Sequence, residues 1–440
     1  MERRTAALVR AVPFFYGWWV VIAAGTIILI ASVAPLYLFS TLVDPLEDEF
    51  GWSRAAIGAG PSIAAVMAGL TMPVAGYLVD RVGARRLLLA GVTLVGGGFL
   101  AMSQIQALWQ FYISASIIAV GMSLGGLPVC TVAIAHWFEK RRGRALGIVS
   151  AGEGASGIMV LVAVLLIAVF EWRTGLMILS IGQLAICIPL ALTVRNRPEE
   201  VGLLPDGEPP APGEPSAGLP PEPADGTSRG SGMRQPEGLT IGQALRTRSF
   251  WLLAFAQVLA WVGSFAIVIH VIAYLDESGG FTEEGAAVIA MSIPLGSLLG
   301  RLSFGWLADY LGKRRLLAAA WILQGLGTLI FAGIHSPWQA VIFLIVFTPG
   351  WGGAAPLLPA VLAEYFGLRA FGGIQGVLMA TAMLGAIVGP IFAGAVYDVV
   401  DSYRPAFLVL ALTAFTAVVL VQMMGRRPAW GTETADVPVA

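Results

Sequence analysis

The stretch Gly305-Trp306-Leu307-Ala308-Asp309-Tyr310-Leu311-Gly312-Lys313-Arg314-Arg315 repeats Gly76-Tyr77-Leu78-Val79-Asp80-Arg81-Val82-Gly83-Ala84-Arg85-Arg86 at a shift of 229 positions. The register holds to within one residue elsewhere: Trp137-Phe138 returns as Tyr365-Phe366 at a shift of 228, and Gly147 as Gly376 at 229. Chance does not keep one register across three motifs, so the chain reads as two copies of one unit. Two copies in the same orientation place a solute site near the midplane between them.

Each copy is built of apolar runs. The chain has 440 residues, 57% hydrophobic and 12% charged, with a mean hydropathy of +0.80, which excludes an ordinary soluble domain and marks an integral membrane protein. Runs of about 20 residues, each enough to cross about 30 Å of hydrocarbon, fall near 15–40, 55–79, 87–104, 108–136, 145–170, 173–194, 250–274, 284–310, 315–334, 337–364, 372–397 and 404–424. The expected fold is all-α, with twelve transmembrane helices in two pseudo-symmetric six-helix bundles. Met1 to Arg10 carries three arginines ahead of a long apolar run with no small-residue cleavage site, the pattern of an uncleaved first span.

Basic residues set the orientation. Arg3, Arg4, Arg10, Arg81, Arg85, Arg86, Lys140 to Arg144, Arg195 to Arg248, Lys313 to Arg315, Arg369, Arg426 and Arg427 fall on one set of alternate connections. The other set holds Arg54, Arg173 and Arg404 beside many acids. By the positive-inside rule both termini are cytoplasmic, in a plasma membrane or bacterial inner membrane. The stretch 195–238, rich in Pro, Gly, Glu and Ser, cannot bury enough apolar surface to offset its ordering entropy and reads as a disordered cytoplasmic linker. It separates an amino-terminal bundle, 1–194, from a carboxyl-terminal bundle, 239–424, followed by a tail, 425–440. Thr240 stands three residues before Gln243, a capping-box pattern that opens a short interfacial helix leading into the seventh span.

Charges inside spans cost several kcal/mol and mark substrate paths. Arg301 stands about ten residues, roughly 15 Å, from the basic end of the eighth span, and is the leading candidate to read the substrate. Glu153 lies at a similar depth in the fifth span. It either pairs with Arg301 as a static clamp or competes with an arriving carboxylate and couples uptake to a proton. His270, near the outer end of the seventh span, is a second proton-coupling candidate, against the plainer reading of a hydrogen-bonded interfacial histidine. Ser297, Tyr37, Leu36, Gln257 and Gln375 are candidate lining residues. Arg301 is the one Lys or Arg deep in a span, so a monoanion fits better than a dianion. Cys130 and Cys187 fall inside spans and read as buried free thiols. No metal-ligand spacing, phosphate-binding loop or nucleophile–base pair occurs in the sequence, so no enzyme activity, metal or cofactor is expected, and no nucleic-acid partner.

The repeated glycine, aspartate and arginine loop resembles the signature of the major facilitator superfamily. Within it, Tyr16-Gly17-Trp18-Trp19-Val20-Val21 and Phe138-Glu139-Lys140-Arg141-Arg142-Gly143-Arg144-Ala145-Leu146-Gly147-Ile148-Val149-Ser150-Ala151-Gly152 resemble the monocarboxylate transporter and oxalate/formate antiporter branch. The resemblance implies that Arg301, with Gly305 and Asp309 at the family spacing, pairs with a substrate carboxylate. It also implies that Gly76, Asp80, Arg81, Gly83, Arg85, Arg86, Gly305, Asp309 and Arg314 gate the cytoplasmic side. The chain departs from the branch where animal members carry a lysine and an aspartate, here Leu36 and Ser297, so their proton relay does not transfer. The eleventh span also lacks the second basic residue of oxalate exchangers. The expectation is a monomeric secondary transporter moving a monocarboxylate by proton symport. Anion exchange, proton-driven export of another small organic compound, and a non-transporting carboxylate sensor are the alternatives.

Overall fold

The computed structural model describes residues 14–31, 39, 41–207, 237–278 and 280–425. Its helices are α1 (Tyr16–Ala31), α2 (Val43–Phe50), α3 (Arg54–Val82), α4 (Ala84–Met102), α5 (Leu108–Gly125), α6 (Leu127–Trp137), α7 (Arg142–Gly154) and α8 (Gly157–Thr193) in the first half. The second half holds α9 (Ile241–Leu245), α10 (Arg248–Glu277), α11 (Glu283–Leu307), α12 (Lys313–Phe331), α13 (Pro337–Phe366), α14 (Phe371–Val400) and α15 (Arg404–Gln422). At 37 residues α8 is about 55 Å long, too long for one crossing; Glu171, at φ 64 and ψ 160, breaks it into the outer part of the fifth span and the whole sixth. With α5 and α6 forming the fourth span around Gly126, twelve crossings result, six in each bundle.

Local chemistry starts and stops these helices. Ser53, Thr247 and Thr282 accept the N–H groups of Ala56, Phe250 and Gly285 at the starts of α3, α10 and α11, satisfying donors that a helix start leaves free. The Thr240–Gln243 capping box forms, with the Thr240 N–H donating to Gln243 Oε1 at 2.9 Å. Gly83 turns the chain between α3 and α4 at φ +88, and a Cβ there would also strike the Asn196 side chain at 2.7 Å. Leu70 and Leu299, 68% and 70% exposed, show apolar flanks suited to lipid, while Gly76, Gly147, Gly305 and Gly376 face other helices.

Of the stretch expected as linker, residues 195–207 and 237–238 are described, and both ends are tied down. Asn196 Oδ1 accepts the Arg85 N–H at 2.9 Å. The Asp206 carboxylate accepts the successive N–H groups of Glu139, Lys140 and Arg141 at 2.9, 2.7 and 3.3 Å. At the far end, Leu239 N–H donates to the Phe366 carbonyl and Leu368 N–H to the Glu237 carbonyl, both at 2.9 Å. Phe138 and Phe366 are repeat partners, so each end docks on the matching loop of its own half. Residues 208–236, and the expected tail from 426 onward, lie outside the described residues.

At the acidic end, Arg173 holds the first bundle together. Its guanidinium bonds Glu49 at 2.7 Å and the Ser103 and Ile105 carbonyls at 2.9 and 2.8 Å, and Trp172 Nε1 donates to the same carboxylate at 2.9 Å. The Arg173 hydrogen bond holds the Glu49 carboxyl below its ordinary range. A depressed carboxyl stabilises the folded state above its unfolded value, about 4.3, and the gain fades as pH falls through the lower folded value. Glu49→Gln is therefore expected to lower the thermal midpoint of detergent-solubilised protein at pH 7 by a small amount, because the pair is half-exposed. The difference should shrink toward zero on titration below about pH 4. A pH-independent difference would show that the charge plays no part.

Candidate functional site

The two bundles meet at the basic end along two repeat-related seams, α3 against α14 and α7 against α11. A Cβ on Gly376 would stand 2.7 Å from the Met72 carbonyl oxygen and 3.3 Å from Gly76 Cα; one on Gly147 would stand 2.7 Å from the Arg301 carbonyl oxygen and 3.1 Å from Gly305 Cα. Only glycine allows backbones this close. One carboxylate closes each seam. Asp80 accepts the N–H groups of Gly372 and Gly373 at 2.9 and 2.7 Å. Asp309 accepts that of Gly143 at 2.8 Å and lies 3.0 Å from Arg144 Nε. Both sit at the amino ends of helices, α14 and α7, where unpaired N–H groups and the helix dipole favour negative charge.

The copies diverge one turn beyond Gly76 and Gly305. Where the first half carries Met72, the second carries Arg301, 7% exposed. Its Nη1 donates across the seam to the Ser150 carbonyl at 2.7 Å and to Glu153 Oε2 at 2.8 Å. Both acceptors belong to α7. Nε is buried with no partner, and Nη2 makes no hydrogen bond among the described residues, so two of the five guanidinium N–H groups are engaged. The Arg301 side chain is 8% exposed and that of Glu153 45%, so the cation lies behind and the carboxylate in front. The fifth span is interrupted here: α7 ends at Gly154, and Ser156 N–H turns back to the Glu153 carbonyl at 3.2 Å before α8 begins. Irregular backbone at membrane depth is tolerated where it is buried in protein or lines a polar gap.

The other residues singled out from sequence lie as follows. Ser297 is fully buried and its hydroxyl donates to the Pro294 carbonyl at 2.6 Å, on its own helix. Gln375 is taken up by a further cross-half bond, accepting from Thr131 Oγ1 at 2.9 Å. Gln257 is 3% exposed, and its Oε1 has no hydrogen-bond partner among the described residues. Leu36 and Tyr37 lie outside the described residues. His270 places Nε2 3.0 Å from the Pro390 carbonyl oxygen and its ring 5.0 Å from Tyr403, partners it does not share with Arg301 or Glu153. Among the gating candidates, Gly76, Asp80, Gly305 and Asp309 cross the seam. Arg81 stacks 4.4 Å over the Tyr77 ring, Arg85 meets Asn196 through its own backbone N–H, and Arg314 donates to Tyr365 and the Met424 carbonyl within its own half. Sequence reasoning missed the Ser150 carbonyl, because every residue carries one, and Thr131, which has no periodic signature.

Twelve crossings in two repeated bundles, closed at one end by matched carboxylate caps and carrying a charged pair across the seam, define a secondary transporter of small molecules embedded in the membrane. The family model described as Major Facilitator Superfamily matches residues 20–303 and 253–435, and the chain belongs to that superfamily. It is 28% identical to human monocarboxylate transporter 11 over 89% of this chain and 80% of that protein. It is 22% identical to the oxalate:formate antiporter of Oxalobacter formigenes over 93% of this chain and 92% of that one. Among solved structures, the transporter FucP in its outward conformation superposes with a TM-score of 0.69 at 15% identity, covering 92% of this chain and 98% of that one, a likeness of fold.

Proposed function

We propose that the chain carries a monocarboxylate across the membrane by alternating access, in symport with a proton. The observation that supports this is the buried Arg301 guanidinium, tied to the opposite half through Nη1 while Nη2 makes no hydrogen bond among the described residues. A carboxylate that replaces Glu153 on Nη1 and takes Nη2 as well makes the two parallel bonds that guanidinium geometry favours. The displaced Glu153 becomes neutral by taking up a proton, which keeps the site at one balanced charge pair in the loaded carrier. When the substrate leaves, Glu153 returns to Arg301 and releases the proton. A dianion would need a second cation, and α14 contains no Lys or Arg.

In this reading the basic end faces the cytoplasm, residues 1–194 and 239–424 are the two moving bodies of a monomer, and the closed basic seam is the state open to the other side. Uptake of a labelled monocarboxylate into proteoliposomes should then rise with an inward proton gradient and need no internal anion. Glu153→Gln, which fixes a neutral side chain, is expected to retain counterflow exchange while losing the response to the gradient. The oxalate:formate antiporter among the relatives favours a second reading, anion exchange at the same site; uptake that requires a preloaded internal anion would establish it instead.

A further inference from the structure

Arg301 reaches the Ser150 carbonyl past Gly154, the last residue of α7, which has no side chain. A Cβ at Gly154 would stand 3.2 Å from Arg301 Nε, 3.2 Å from Ser297 Oγ and 3.0 Å from Leu298 Cδ2. The slot has little slack on the α11 side: Ser297 is fully buried with its hydroxyl bound to Pro294, and the Gly147 contact with the Arg301 carbonyl pins the two helices two turns away. Leu298, partly exposed, is the one flexible wall.

We propose that Gly154 is a positioning residue for Arg301, whose absent side chain lets the guanidinium lie against the end of α7 and hold Glu153 as its partner. This rests on the functional reading above, in which the Arg301–Glu153 pair is the working element of the site. A side chain at 154 pushes Nε away from α7, moves Nη1 off the Ser150 carbonyl, and loosens the pair. The slot therefore acts on the state of Glu153 without touching substrate.

The pair can be read without knowing the substrate. Dicyclohexylcarbodiimide modifies carboxyls in membrane interiors and reacts poorly with a carboxylate held in a hydrogen-bonded ion pair. Site-resolved mass spectrometry of purified full-length protein at neutral pH is expected to show slow modification of Glu153 in the native chain. Modification should be at least about threefold faster in Arg301→Ala and in Gly154→Val, by the loss of that ion pair. Glu364, paired with Lys313 elsewhere at 3.6 Å, serves as the internal control and should not change. Adding Leu298→Ala to Gly154→Val opens the flexible wall and should return Glu153 toward the slow rate, a rescue that general loosening of the fold would not show. Gly154→Ala gives the same readout in milder form if the valine variant does not fold. Fast labelling in Arg301→Ala with native-like labelling in both Gly154 variants overturns the role of Gly154 alone. Slow labelling in Arg301→Ala overturns the pair and, with it, this inference.

Discussion

Arg301→Ala should abolish the stabilisation that small carboxylates give the detergent-purified protein, and with it transport. Truncating one partner of a buried, hydrogen-bonded charge pair costs at least about 2 kcal/mol, or roughly 30-fold in affinity. The loss here falls on the group that would meet the ligand. The fold should survive, because the partner left behind, Glu153, is 45% exposed and can be solvated. Arg301→Lys should recover part of the effect: it keeps the charge but replaces a planar fork with a single point donor. The check is a thermal-shift series of monocarboxylates against the native chain and both variants. Ligands that still stabilise Arg301→Ala to the native extent would place the site elsewhere.

Asp80→Asn should leave carboxylate affinity near its native value and change the balance of conformations instead. The native carboxylate accepts two N–H groups, from Gly372 and Gly373, at the start of α14. An amide offers one acceptor and turns a donor toward the second N–H. Losing hydrogen bonds to a charged group costs about 1.5–3 kcal/mol, which shifts a two-state balance by roughly tenfold or more. Spin labels on cysteines placed at Val82 and Arg369, one on each half at the basic end, would report it by pulsed distance measurement; native Cys130 and Cys187 are buried. The long-distance population should grow in the variant. An unchanged distribution would show that the cap does not hold the seam.

Much of this arrangement was legible in the amino-acid order, for identifiable reasons. Span positions follow from apolar length, and the break between the fifth and sixth crossings at Glu171 falls between the expected runs 145–170 and 173–194. The repeat register identified Gly147 and Gly376 as partners, and they occupy equivalent places on the two seams. Arg301 and Glu153 stood out because ionised groups at membrane depth are expensive, and the structure brings them to 2.8 Å. What sequence could not show is what backbone geometry decides. The Ser150 carbonyl and the slot beside Gly154 depend on which face α7 turns to α11. The Asp206 carboxylate closes on three loop N–H groups that carry no side-chain signal. Ser297 looked like a lining hydroxyl by its position four residues before Arg301, yet its hydroxyl is spent on its own helix.

The most direct test is a distance between two atoms. Solid-state NMR of the protein in lipid, with 15N-arginine and a stabilising monocarboxylate 13C-labelled at its carboxyl carbon, measures whether that carbon lies against Arg301. The assignment predicts a strong dipolar contact to an Arg301 side-chain nitrogen that disappears in Arg301→Ala, together with loss of the Glu153–Arg301 contact on binding. A bound carboxylate with no contact to Arg301, or one that leaves Glu153 still paired to it, would contradict the central claim.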